Sequence, residues 1–213
     1  MLNTQYDLVL RRITTILAAA IVTLTVMGAT TGILLSFYYE PAAGAAYNSL
    51  KVINTQLPYG WLFRKTHEIV GHSVIAIALI QIVVMFLSRQ FQKSWLTAWI
   101  GVILFTLSAI GLAWTAMILD WDQEGYWRFS IELGTVGAIP LIGSQLRDIL
   151  TGGAGISTVT IQHLYTIHSY IVSLSALILA LVHLIGVLWQ EKQMHLEGAK
   201  TQVAELQEQP AQT

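Results

Sequence analysis

The chain has no cysteine, so it can form no disulfide, no zinc-thiolate or iron-sulfur centre and no thioether link to a prosthetic group. Any cofactor must be held by histidine or by packing. Charge is almost as scarce: Asp, Glu, Lys and Arg make up 11% of the 213 residues while 54% are hydrophobic, too apolar a balance for an ordinary water-soluble surface. The net charge of -1 offers no basic stripe for nucleic acid and no acidic block for a cationic substrate. A clear small-x-small cleavage site is also missing after the first hydrophobic run, so that run reads as a retained span and not as a signal peptide.

Four runs are long enough to cross about 30 Å of hydrocarbon at about 1.5 Å per residue: Ile13–Tyr38, His67–Leu87, Trp95–Leu119 and His163–Trp189. The expected fold is an all-α membrane protein, a bundle of four transmembrane helices over residues 1–190 with a polar tail over 191–213 that frays or forms an exposed helix. Glu40 to Lys65 reads as a structured loop with a short amphipathic helix. Ser88 to Ser94 is a short polar turn, which makes the second and third spans antiparallel neighbours. Asp120 to Val159 mixes charges with aromatics and glycines, as one or two helices lying at the interface would. Lys and Arg divide six to five between the two sides, so the positive-inside rule speaks weakly. Acidic residues lean to the two long loops, and the termini are placed on the negative (n) side with those loops on the positive (p) side.

Five of the six histidines lie in or at the ends of the second and fourth spans: His67, His72, His163, His168 and His183. An ionisable side chain within the bilayer costs a few kcal/mol unless partnered, so its default reading is functional. His67 and His168 both enter from the p side and can meet at similar depth across the bundle, where two neutral imidazoles could grip one haem iron. His168 and His183 stand fifteen residues apart, about 60° beyond four helical turns and roughly 22 Å in depth, the geometry that two stacked haems would need. Nearly below His67 on its own span, however, stands Gln81. His72 and His163 are each turned away from these lines and read as interfacial or as helix-to-helix hydrogen-bond donors. Gly28, Gly32, Gly101, Gly111 and Ala116 are places where a flat ring could approach the backbone, or where helices simply pack closely.

Several stretches resemble the cytochrome b family of quinol-oxidising complexes, in its four-helix cytochrome b6 form. They are Thr31-Gly32 followed by Phe37-Tyr38-Tyr39-Glu40-Pro41, Gly60-Trp61-Leu62-Phe63-Arg64 leading to His67, Trp121-Asp122-Gln123 with Gly125-Tyr126-Trp127, Ala138 to Ser144, and the His168 and His183 pair. The resemblance runs from about Ile13 to Leu188. It implies a p-side haem b on His67 and His168, with Arg64 placed for a propionate. It also implies quinol or quinone as partner, a companion membrane subunit carrying the rest of the quinol site, and an iron-sulfur protein and c-type cytochrome as further partners, in an energy-transducing bacterial inner or thylakoid-type membrane.

The departures from that pattern cluster on the n side. Gln81 stands where the family has its second ligand on this span, and an amide is a poor iron ligand because its nitrogen lone pair is delocalised. His183 thereby loses its partner: a second, non-covalent haem on it would be five-coordinate or weakly ligated. Ile16 occupies the position of the cysteine that tethers an extra haem, which excludes a covalent haem. Ala18 replaces a glycine, and Trp189 and Gln190 replace an Arg-Lys pair, leaving Lys192 as the nearest cation. Asp120 replaces a proline, and the glutamate-bearing segment that takes the quinol proton is absent, which leaves Glu124 or Asp120 as candidate acceptors. The expected function is the haem-bearing subunit of a quinol-linked electron-transfer complex with its n-side haem altered or absent. A non-catalytic assembly or pigment-binding subunit is the alternative, and a separate di-haem quinone reductase unit is a third reading.

Overall fold

The computed structural model describes residues 2–88, 90–91, 95–153 and 155–208, and regular structure among them is entirely helical. Residues 89 and 92–94 of the expected short turn, Arg89 and Lys93 of the charge count, and the tail from 209 lie outside the described residues.

Four helical segments are long and apolar enough to cross a membrane. The first, α1 (Leu2–Ser36), leads through the short amphipathic α2 (Ala46–Thr55) to α3 (Gly60–Leu87). Next comes α4 (Leu96–Leu119), and then α5 (Gln123–Gly137) and α6 (Gly143–Thr151) cap one end of the bundle. The last crossing is α7 (Thr158–Thr166), a π-helical segment at Ile167–Val172 and α8 (Ser173–Glu208), in one run. Each spanning helix begins or ends within a few residues of its hydrophobic run except the last, where helix starts at Thr158 and passes Gln190 without a break.

Helix α1 packs on α3 and α8, and α4 packs on the same two. The four crossings therefore form a square in which α3 stands diagonally opposite the α7–α8 run. Side chains buried on the inner faces sort into three tiers. Ala18, Met85, Ala98, Val102 and Val187 fill the end that carries the termini. Ile21, Val74, Ala78, Phe105 and Ala180 fill the middle, and Ile118, Phe129, Leu133 and Ile161 underlie the loop end. Large apolar residues such as Ile33, Ile80, Leu107 and Ile185 face outward, as they do where the solvent is hydrocarbon. At the terminal end Arg11 donates from Nε and Nη2 to the two oxygens of Glu191, both at 3.3 Å, tying α1 to α8.

Candidate functional site

Two pairs of side chains reach across the square from diagonal helices, one in each half. In the loop half, His67 of α3 and His168 of the π segment face one another with ring centroids 6.3 Å apart and planes inclined by 61°. Their outer nitrogens are spoken for. His67 Nδ1–H donates to the Gly28 carbonyl at 3.0 Å, with Thr31 Oγ1 at 3.1 Å. His168 Nδ1–H donates to Thr115 Oγ1 at 2.8 Å, and the Thr115 hydroxyl donates onward to the Gly111 carbonyl at 2.9 Å. A carbonyl can only accept, so His67 carries a proton on Nδ1; with the Thr115 hydroxyl donating to Gly111, His168 does the same, and as a neutral imidazole each keeps its Nε2 lone pair free. Neither Nε2 has a hydrogen-bond partner among the described residues. Two metal-imidazole bonds of about 2 Å, set end to end with half of each ring, span roughly 6 Å, so the separation suits one metal ion held between the rings. The carbonyl and hydroxyl behind each ring are the kind of outer contact that fixes a ligand imidazole's tautomer and orientation.

Gly32 makes room for this arrangement, since a methyl group at that position would sit 3.1 Å from His67 Cε1. Ala116, half-buried, follows Thr115 on α4. A π segment at Ile167–Val172, with about one residue more per turn than an α-helix, covers the start of the His168 to His183 interval. The winding between the two rings thus departs from that of an unbroken α-helix, and each ring meets a side chain of α3, His67 or Gln81.

In the terminal half, Gln81 of α3 and His183 of α8 are fully buried and touch. His183 Nδ1–H donates to the Ala98 carbonyl at 2.8 Å, which leaves its Nε2 lone pair to accept from Gln81 Nε2–H at 2.8 Å. The same amide nitrogen donates to the Thr14 carbonyl at 3.2 Å. Gly101 is not open to a ring here, because a Cβ on it would lie 3.0 Å from the backbone N and Cα of His183. Ala18 is wholly buried, and Ile16 points outward, two-thirds exposed.

At the mouth of the loop half Arg64 Nη2 donates to Asp120 Oδ1 at 2.9 Å. Burial raises the Asp120 carboxyl above its ordinary range, and the Arg64 charge works against that rise. Tyr39 donates to the Leu119 carbonyl at 2.8 Å and stacks on Tyr165 at 5.5 Å; burial first, then the charges of Asp120 and Tyr165, push its phenol well up. Glu124 lies in the first turn of α5, whose N-cap Asp122 accepts from Gly125 N at 2.8 Å. It lines an open groove of about 650 Å³ together with Gln123, Trp127, Arg128, Ile131 and Glu132, and Glu132 accepts from the Trp114 indole at 2.6 Å. Asp120 and Glu124 therefore belong to different features. His72, exposed, donates to the Glu68 carbonyl of its own helix at 2.9 Å, and His163 packs against Gly152. Neither joins the two pairs. Among the described residues no cluster of three or more His, Cys, Asp or Glu could hold a bare metal ion.

Sequence reasoning did not single out Thr14, Thr115 or Ala98, the helix partners of these side chains. Thr115 left the one available trace, a hydroxyl deep in an apolar run, but threonines are frequent in membrane helices and bond back to their own backbone.

The family model for cytochrome b/b6/petB matches residues 8–191. The chain is 30% identical to the cytochrome b6 of Auxenochlorella protothecoides over 72% of its length and 71% of that protein. It is 31% identical to the cytochrome b6 of Cyanidium caldarium over the same shares, 72% and 71%. A chain of a hyperthermophilic respiratory complex III superposes with a TM-score of 0.71 at 24% identity. That match covers 83% of this chain and 47% of the other, so the protein spans about half the length of that structural neighbour.

Proposed function

Because the chain belongs to the cytochrome b/b6 family, we propose that it is the haem-b-bearing membrane subunit of a quinol-oxidising or quinone-linked electron-transfer complex, with one non-covalent haem held by His67 and His168. It is an integral, multi-pass membrane protein. The observation that carries the proposal is the pair of imidazoles from diagonal helices, each held from behind at Nδ1, with ring centroids 6.3 Å apart. His67 and His168 would hold the haem there, and it would supply a one-electron couple. The protein's part is to hold the rings. Gly28 and Thr115 fix both tautomers, Gly32 leaves His67 its place, and the middle tier of Ile21, Val74 and Phe105 keeps water from below.

Arg64 gives Asp120 one hydrogen bond and keeps donors for a propionate carboxylate. Of the two carboxylates that could take a quinol proton, Glu124 faces the open groove while Asp120 is paired with Arg64. A companion membrane subunit completing the quinol site is the partner this reading requires, and an iron-sulfur protein with a c-type cytochrome fits as the outlet.

The test is a reduced-minus-oxidised spectrum of the purified complex, compared with complexes carrying His67→Ala or His168→Ala. A low-spin b-type signal that either substitution abolishes is the expected result. If the subunit carries no haem while its complex keeps full activity, the chain is a non-catalytic component.

A further inference from the structure

We infer that Gln81 and His183 form a polar clasp occupying the level at which a second haem would be ligated, so that the terminal half of the bundle is closed by protein groups and ordered water and the chain holds a single haem. The inference deepens the reading above and rests on it for the haem of the loop half alone.

Three observations carry it. The lone pair that an axial histidine would give to iron is, on His183, already taken by an amide N–H at 2.8 Å. The amide cannot turn round to release it. Flipping Gln81 would aim its oxygen at the His183 lone pair and at the Thr14 carbonyl, replacing two attractive contacts with two repulsive ones. Nor is there space for a macrocycle between groups in hydrogen-bond contact, with Ala18, Met85, Ala98 and Val102 buried around them and Gly101 pressed on the His183 backbone. The contrast with the loop half is internal to the molecule: the same diagonal helices present two rings 6.3 Å apart whose Nε2 atoms have no partner among the described residues at one level, and a closed hydrogen bond at the other.

The third observation concerns what the clasp leaves over. Gln81 Oε1 and Gln90 Oε1 are buried without a partner, and both amides donate to Thr14, Gln81 to its carbonyl and Gln90 to its hydroxyl at 3.4 Å. Two buried acceptors beside one residue are met most simply by water, which can donate to both. The result ties all four crossings: Thr14 on α1, Gln81 on α3, Ala98 on α4 and His183 on α8 are joined in a single chain of hydrogen bonds.

The test uses the purified complex and three measurements. Haem per chain, read as the pyridine haemochromogen, is expected to be one in the wild type, unchanged in His183→Ala and in Gln81→Leu, and zero in His168→Ala. Two haems in the wild type, or a fall in His183→Ala, overturns the inference. Thermal denaturation gives a readout independent of haem: Gln81→Leu and His183→Ala each lower the midpoint, and the double variant loses less than the sum of the two singles, because the bond between the two residues is removed in each. Strictly additive losses would show that the pair is no clasp. A density map at a resolution that shows water is expected to place a peak within hydrogen-bond distance of Gln81 Oε1, and a flat macrocycle there refutes the proposal. Loss of the loop-half reading alone would appear differently, as no haem in the wild type together with an intact non-additive pair.

Discussion

Thr115 decides which lone pair His168 turns toward the centre of the bundle. With its hydroxyl donating to the Gly111 carbonyl at 2.9 Å, it accepts from the His168 Nδ1–H at 2.8 Å. Valine has the same shape and no acceptor. Thr115→Val is therefore expected to weaken haem retention by about 10- to 100-fold, the usual effect of removing an outer contact of a metal-bound histidine, while the helix content is unchanged; equal retention would show that packing alone orients the ring. Tyr39 makes a second prediction at this scale. Its phenol is pushed up in the folded protein, so above pH about 10 the unfolded chain loses its proton before the folded one. Folding then holds more protons than unfolding, and stability falls as pH rises through that range. Tyr39→Phe removes this alkaline loss and costs about 1 kcal/mol at neutral pH for the hydrogen bond to Leu119. A melting series in detergent from pH 7 to 11 checks both parts. Residues of this kind were only partly legible beforehand. His67, His168, Gln81 and His183 announced themselves as polar groups in apolar runs, whereas the acceptors behind them are backbone carbonyls and common threonines, which carry no signal in composition.

Helices were the more readable scale, because a bilayer demands a minimum apolar length and leaves few other ways to satisfy the backbone. The α3 and α4 crossings end where their hydrophobic runs end, at Leu87 and Leu119. Where polar sequence continues a helix, hydropathy gives no warning, and α1 from Leu2 and α8 to Glu208 both outrun the spans. The loop end holds α5 and α6, two helices as expected, while the last crossing starts earlier than its apolar run, because α7 begins on a capping box at Ser157 and Thr160. Least legible was the π segment. Counting at a fixed rotation per residue leaves His168 and His183 about 60° apart, and nothing in the sequence marks the change of winding at Ile167–Val172. Deleting Ile171, which is exposed within the segment, is expected to convert it to ordinary α-helix and leave the low-spin spectrum in place. Inserting one alanine after Leu177 is expected to abolish that spectrum, since it turns one ring by about 100° relative to the rest of α8. If the deletion abolished the signal too, the widened turn would have some purpose beyond alignment.

At the scale of the whole molecule, the two diagonal pairs share no residue and are separated by the apolar middle tier of Ile21, Val74, Ala78 and Phe105. Family membership and architecture followed from the sequence, because motifs spread from Thr31 to His183 bear on them together. The state of the terminal half could be suspected from Gln81 but not settled, since a lone glutamine in a run of Val, Ile and Ala can face lipid, solvent or a partner. On the proposed reading, an electron enters and leaves at the loop face, so turnover by this chain moves no charge across the bilayer. The dry partition between the tiers has a further consequence. Each storey of such a bundle is free to gain or forfeit its own occupant without collapsing the other, which makes the scaffold modular, and a lineage could retire one half of an electron wire while the remaining half stays in service.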